Sequence, residues 1–206
     1  MKLIKQLSLI ALATILFLSC AKIYYSPDAY TLAHSHNVIA IIPPTVSIAA
    51  KKNIDAEALK EEQKTVSINF QKEMYSWMLQ RKMQGKISQN IQEIETTNAK
   101  LSKVDYPGNP LTTSELCEVL GVDGILTSTF GLSKPVSDGA AIAEALFSDS
   151  RSSTNEVHAS LSISDYKNEK LIWNYDHKTS GSLGSSPSKL IDDIMKEASL
   201  KMPYIN

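Results

Sequence analysis

Val157, Ala159, Leu161 and Ile163 alternate strictly with polar residues. Side chains along a strand point to opposite faces in turn, so this period of two requires a strand with one face buried and one wet. The chain then turns through "DYKNEK" and returns as "KLIWNYDHK", the pattern of an antiparallel hairpin. Whatever else the chain does, it must cover one face of this hairpin with apolar side chains. A last helix opens at Ser188 or its neighbours, with Leu190, Ile191, Ile194, Met195 and Ala198 inside, and is expected to end at Pro203.

The segments before the hairpin interleave strand and helix signals. "NVIAII" (Asn37 to Ile42) is a short apolar run, rich in β-branched residues, that stops at Pro43-Pro44 and reads as a buried strand. From Asp55 to Gln84, Val66, Phe70, Met74, Trp77 and Met78 recur at steps of four and three, which predicts one long helix ended at Gly85. "KISQNIQEI" is a weaker strand candidate. A second helical patch follows Thr97, with Leu101 and Val104 on one side, and stops near the turn "DYPGNP". Thr112 and Glu115 have capping-box spacing, with Leu116, Val119 and Leu120 as the inner face and Gly121 as the stop. "DGILTSTFGL" is the next strand. These elements predict a single α/β domain over 37–206: a mixed sheet of about five strands in two or three layers, with packed helices and a late antiparallel hairpin.

Location is legible at the other end. Lys2 and Lys5 precede an apolar run from Leu7 to Leu18, then Ser19 and Cys20. A basic start, an apolar stretch and a small residue before a cut make a secretory signal over 1–19. The apolar run is about a dozen residues long, where a membrane-crossing helix needs roughly 20. Phe17, Leu18, Ser19 and Cys20 resemble the lipobox of bacterial lipoproteins, with Phe17 in place of the usual Leu. That resemblance implies that the Cys20 thiol receives a diacylglyceryl group, becomes the first residue and ties the protein to membrane lipid; a simple secretory signal or an uncleaved anchor is the alternative. Ala21, where inner-membrane retention would want Asp, implies the periplasmic face of the outer membrane. Residues 20–36, with three tyrosines, one proline and no period, read as a lipidated tether.

Composition narrows the function by exclusion. With 21 basic and 22 acidic residues, the formal charge is -1, so no strong field draws in nucleic acid. If Cys20 is lipidated, Cys117 has no partner within the chain, and its apolar neighbours make it a buried inert thiol. His34 and His36 form an H-x-H pair without a third ligand at metal spacing, and His158 and His177 are placed on the polar face of the hairpin. No nucleophile elbow, P-loop or zinc-protease motif occurs. The Gly/Ser run from Ser180 to Ser188 is a linker. No cofactor, metal or catalytic residue is expected.

The units "NVIAIIPP", "LCEVLGVDGILTSTF", "SLSISDYKNEKLIWNY" and the closing "KMPY" are similar to a group of small bacterial lipoproteins. The group includes the curli secretion lipoprotein and the penicillin-binding-protein activators, with the amino-terminal domain of the Tol translocation protein also similar. Leu120, Gly121, Val122 and Asp123 match its "hGhD" motif, and Asp165 and Trp173 match its hairpin motif. Physically these read as helix stop, turn former and apolar filler. The chain lacks the paired alternating hairpins that a curli-type channel would need. The resemblance implies a non-enzymatic binding or scaffold lipoprotein of envelope assembly or secretion; an envelope hydrolase and an activator of a cell-wall synthase are the alternatives. "GAAIAEALF" is the candidate interaction segment: Ile142, Leu146 and Phe147 form an apolar stripe that either lids its own core or docks on a second copy or another envelope lipoprotein.

Overall fold

The computed structural model describes residues 21–49, 55–133, 156–180 and 187–205. Seven strands form one mixed sheet: β1 (Lys22–Tyr25), β2 (Val38–Ile41), β3 (Thr45–Ala49), β4 (Asn90–Ile91), β5 (Gly124–Ser133), β6 (Glu156–Asp165) and β7 (Lys170–Ser180). Five described helices pack on it: α1 (Ala29–Ser35), α2 (Ala56–Met83), α3 (Ile94–Lys103), α4 (Thr113–Leu120) and α5 (Pro187–Ala198). The α/β class with a mixed sheet and a late hairpin is what the sequence predicts. Two strands, β1 and β3, come in addition to the five expected.

The strand order is β1-β7-β6-β5-β2-β4, with β3 also on β5. β5 is shared along one edge by two parallel partners in succession. Ile39 to Ile41 of β2 lie beside Gly124 to Leu126, and Thr45 to Ala49 of β3 lie beside Thr129 to Ser133. Pro43 and Pro44 lie in the join, where they remove ladder donors and let the chain step from one segment to the next. On its other edge β5 pairs antiparallel with β6 along its whole length, and β6 with β7.

The sheet is covered unequally. On one face Val66, Phe70, Met74 and Met78 of α2 meet Leu126, Phe130, Leu161, Ile163 and Trp173, with Ile191, Ile194, Met195 and Ala198 of α5 beside them. Phe70 and Phe130 meet edge to face at 4.9 Å. Trp77 is only partly buried; its indole N–H donates to Asp192 (2.9 Å) and the Arg81 guanidinium lies over its ring. On the other face a smaller cluster joins Ala40, Ile42 and Ile125 of the sheet to Leu101, Leu116, Cys117 and Leu120. The sheet is therefore three layers deep over β2 and the start of β5, and two layers deep over the hairpin among the described residues.

Local chemistry fixes the helix ends. Thr112 accepts from the Glu115 N–H, and the Glu115 carboxylate accepts in return from the Thr112 N–H (2.8 Å). Gly121 stops α4 in the left-handed region (φ 64°), where a side chain would be strained. Two expected boundaries move. Only Asn90 and Ile91 of "KISQNIQEI" form strand, and α3 begins at Ile94, because Gln92 already bonds back to Ile39 and Thr97 N–H closes on Glu93. α5 stops at Ala198 rather than at Pro203: the Leu200 and Lys201 N–H groups bond three residues back, to Glu197 and Ala198, which tightens the last turn.

The tether expected over 20–36 is also corrected from residue 22 onward. Four residues of β1 pair antiparallel with β7, from Lys22 beside Asp176 to Tyr25 beside Trp173. α1 buries Ala29 and Ala33 in the main core. An edge strand this short carries no period long enough to be read in the sequence.

Candidate functional site

Three elements distant in sequence bring a hydroxyl, an imidazole and a carboxylate into line. His36 follows α1, Asp165 ends β6, and Tyr204 lies beyond α5. His36 Nδ1 is 2.9 Å from the Tyr204 hydroxyl and its Nε2 is 2.8 Å from Asp165 Oδ1. Burial alone would raise the Asp165 carboxyl, but hydrogen bonds from His36 and then Asn168 hold it below the usual carboxylate range. An ionised carboxylate only accepts, so Nε2 carries a proton and donates to Asp165, while Nδ1 shares a hydrogen bond with the tyrosine hydroxyl. Burial pushes the Tyr204 phenol well above its ordinary range, which keeps it a donor.

A hydroxyl–imidazole–carboxylate row is the constellation of nucleophilic catalysis, yet here all three groups are sealed. His36 is 5% exposed, Asp165 2% and Tyr204 1%. Gly124 closes the site from the sheet: a Cβ there would stand 2.5 Å from the imidazole. No substrate reaches these atoms in this conformation, so the row is a clasp. It ties the start of β2, the hairpin turn and the chain's end together. Asp165 keeps its expected turn role as well, accepting from the Asn168 N–H at 2.6 Å.

A cleft of about 120 Å³ opens on the less covered face of the sheet, lined by Thr45, Tyr106, Thr127, Thr129, Ser160 and Ser162 among others. Burial raises the Tyr106 phenol above its ordinary value. The described lining offers hydroxyls that donate and accept but no carboxylate or imidazole, so it can hold a neutral polar group.

The histidines separate. His34 is exposed and His36 buried, so the H-x-H pair does not converge; among the described residues no three His, Cys, Asp or Glu come together. His158 stays on the polar face beside Asp176 (3.0 Å). His177 is a correction. The alternation that turns Trp173 and Tyr175 inward also turns His177 inward, against the Tyr175 ring, and leaves it 9% exposed. Cys117 is buried, and burial pushes its thiol up to about 12. Trp173 is wholly buried, as the apolar filler reading requires. Asp123 does more than the motif suggested: its carboxylate accepts from the Asn37 and Val38 N–H groups (2.7 and 3.0 Å) and so positions β2. An Asp two residues after a helix stop, just before the next strand, is the local signal for it. Cys20, Ile142, Leu146 and Phe147 lie outside the described residues.

No protein-family profile matches the chain, and no curated protein does. Solved structures do resemble it. A PelC dodecamer from Paraburkholderia phytofirmans has a TM-score of 0.47 at 9% identity, covering 92% of this chain and 99% of that one. Lipoprotein GNA1162 from Neisseria meningitidis scores 0.41 at 11% identity, covering 80% and 95%. The LpoB C-terminal domain from Salmonella enterica scores 0.35 at 9%, covering 70% and 83%.

Proposed function

We propose that this chain is a lipid-anchored scaffold or binding lipoprotein of the bacterial envelope, held by acylated Cys20 at the periplasmic face of the outer membrane. The observation that carries the reading is at the amino-terminal end. A basic start and an apolar run end on Cys20, and the folded domain begins two residues later at Lys22. Among the described residues no helix is long and apolar enough to cross a membrane. A sealed imidazole and a cleft lined by hydroxyls favour binding over catalysis. Contact with a second copy or another envelope lipoprotein through Ile142, Leu146 and Phe147 is the interaction half of the proposal.

The test is Cys20→Ser in cells fed labelled palmitate. The wild type takes up label and sediments with membranes. The variant loses the label and appears in the soluble fraction, because acyl chains contribute about 0.8 kcal/mol per buried CH₂ and nothing else replaces them. A variant that still incorporates palmitate refutes the anchor.

A further inference from the structure

The anchor and the fold leave almost no chain between them. Ala21 alone separates Cys20 from β1. Among the described residues β1 is the last strand of the sheet and pairs with β7 alone, which leaves its other side an open edge there. Ile23 and Tyr25 point into the core, while Lys22 and Tyr24 point to the open face and are exposed. α1 then folds back, and its Tyr30 stacks on Tyr25 with ring centroids 5.6 Å apart and an interplanar angle of 11°. The free edge is thus flanked by two tyrosines, Tyr24 on the open face and Tyr30 on the core side, 49% and 51% exposed.

The short link limits how far this edge can stand from the bilayer. A strand advances about 3.3 Å per residue, so Tyr24 is on the order of 13 Å along the chain from Cys20 and Lys22 about 7 Å. Each headgroup layer of a bilayer is roughly 5–8 Å thick. Acyl chains on Cys20 reach the hydrocarbon only if its backbone lies at this layer. β1 is rigidly hydrogen-bonded to β7 from its first residue, so no slack exists to lift the domain away. Tyrosine, with an apolar ring and a polar tip, is a side chain suited to that boundary, and Lys22 adds a positive charge for anionic headgroups.

We infer that the free edge of β1 is the face by which the domain lies on the bilayer surface, with Tyr24 and Tyr30 seated in the headgroup layer. The inference rests on acylation of Cys20, and it adds an orientation: β4, at the far edge of the sheet, points away from the membrane. At about 4.8 Å per strand, five steps put β4 roughly 24 Å from β1.

The acylated full-length chain is reconstituted in phosphatidylethanolamine and phosphatidylglycerol vesicles that carry a spin label just below the headgroup. The fluorophore NBD is attached at Thr31→Cys, beside Tyr30, or at Asn90→Cys on β4; both positions are exposed. Cys117, buried and held protonated, does not compete for the label. Flotation with the vesicles is read in parallel. Several-fold stronger quenching at 31 than at 90 is expected, and the added pair Tyr24→Ser and Tyr30→Ser should cut the quenching at 31 while flotation persists. Equal quenching at 31 and 90 in vesicles that still float the protein would overturn the orientation and leave the anchor standing. Quenching at 31 that ignores the double serine change would remove the tyrosines from the contact. A chain that carries no acyl group and does not float sinks the anchor and the orientation together.

Discussion

The two faces of the β6–β7 hairpin are built from the same twenty-odd residues and behave as different materials. Inward, Val157, Leu161, Ile163, Trp173 and Tyr175 are buried beneath α2 and α5. Outward, His158, Ser160, Ser162, Asn174 and Asp176 bond to one another: the Asn174 amide donates to Ser160 and Ser162 (3.1 and 3.0 Å), and Asp176 meets His158. The inner face draws stability from apolar area removed from water. The outer face exchanges one set of hydrogen bonds for another, which nets little. Stability and surface chemistry can therefore be altered separately in this hairpin.

The largest loss should come from the inner side. Phe70→Ala empties the centre of the α2–sheet contact, where Phe70 is 1% exposed, and large aromatic deletions of this kind cost about 3–5 kcal/mol. Urea denaturation should show the midpoint fall with its slope unchanged; a loss under about 1 kcal/mol would mean that the two faces are less different than their burial suggests.

A smaller loss tests the polar clasp at the end of that face. Asp165→Asn removes the charge His36 bonds to, and a buried polar partner left poorly matched costs about 1–3 kcal/mol. The pH dependence has a definite sign. The folded Asp165 carboxyl titrates below its ordinary value, so its contribution is complete above the unfolded value of about 3.9 and fades as pH falls through the folded one. Acid titration of the wild type and of Asp165→Asn, followed by circular dichroism, should converge at low pH. Parallel curves would remove Asp165 from the acid transition.

The smallest change belongs to the outer face. Asn174→Ala breaks the Ser160 and Ser162 bonds, but these groups can turn to water, so the melting temperature should move by the equivalent of about 0.5 kcal/mol or less. A large drop would show that the open face is held as tightly as the closed one.

Legibility in the sequence follows from range. Period-two alternation at 157–163, the Thr112–Glu115 box and Gly121 act between residues a few positions apart, and each stands where its local chemistry puts it. β3 is not legible because five residues after two prolines carry too little pattern, nor are β1 and α1, whose order comes from β7 and the core rather than from their own spacing. Of the clasp, only the turn-forming aspartate is legible. Its other members stand 129 and 168 residues apart in the pairs they form, and no local signal joins them. His177 shows the reverse: the alternation that reads Trp173 as inward applies equally two and four residues on.

That His36 meets Tyr204 and β1 meets β7 has a consequence for timing. Residues 22–36 have their partners far along the chain, 168 positions away for His36 and Tyr204. Pairings between chain ends form slowly because a long loop must close before they contribute. Burial of His36 and pairing of β1 are therefore expected late in folding, after the local hairpin and helices have formed.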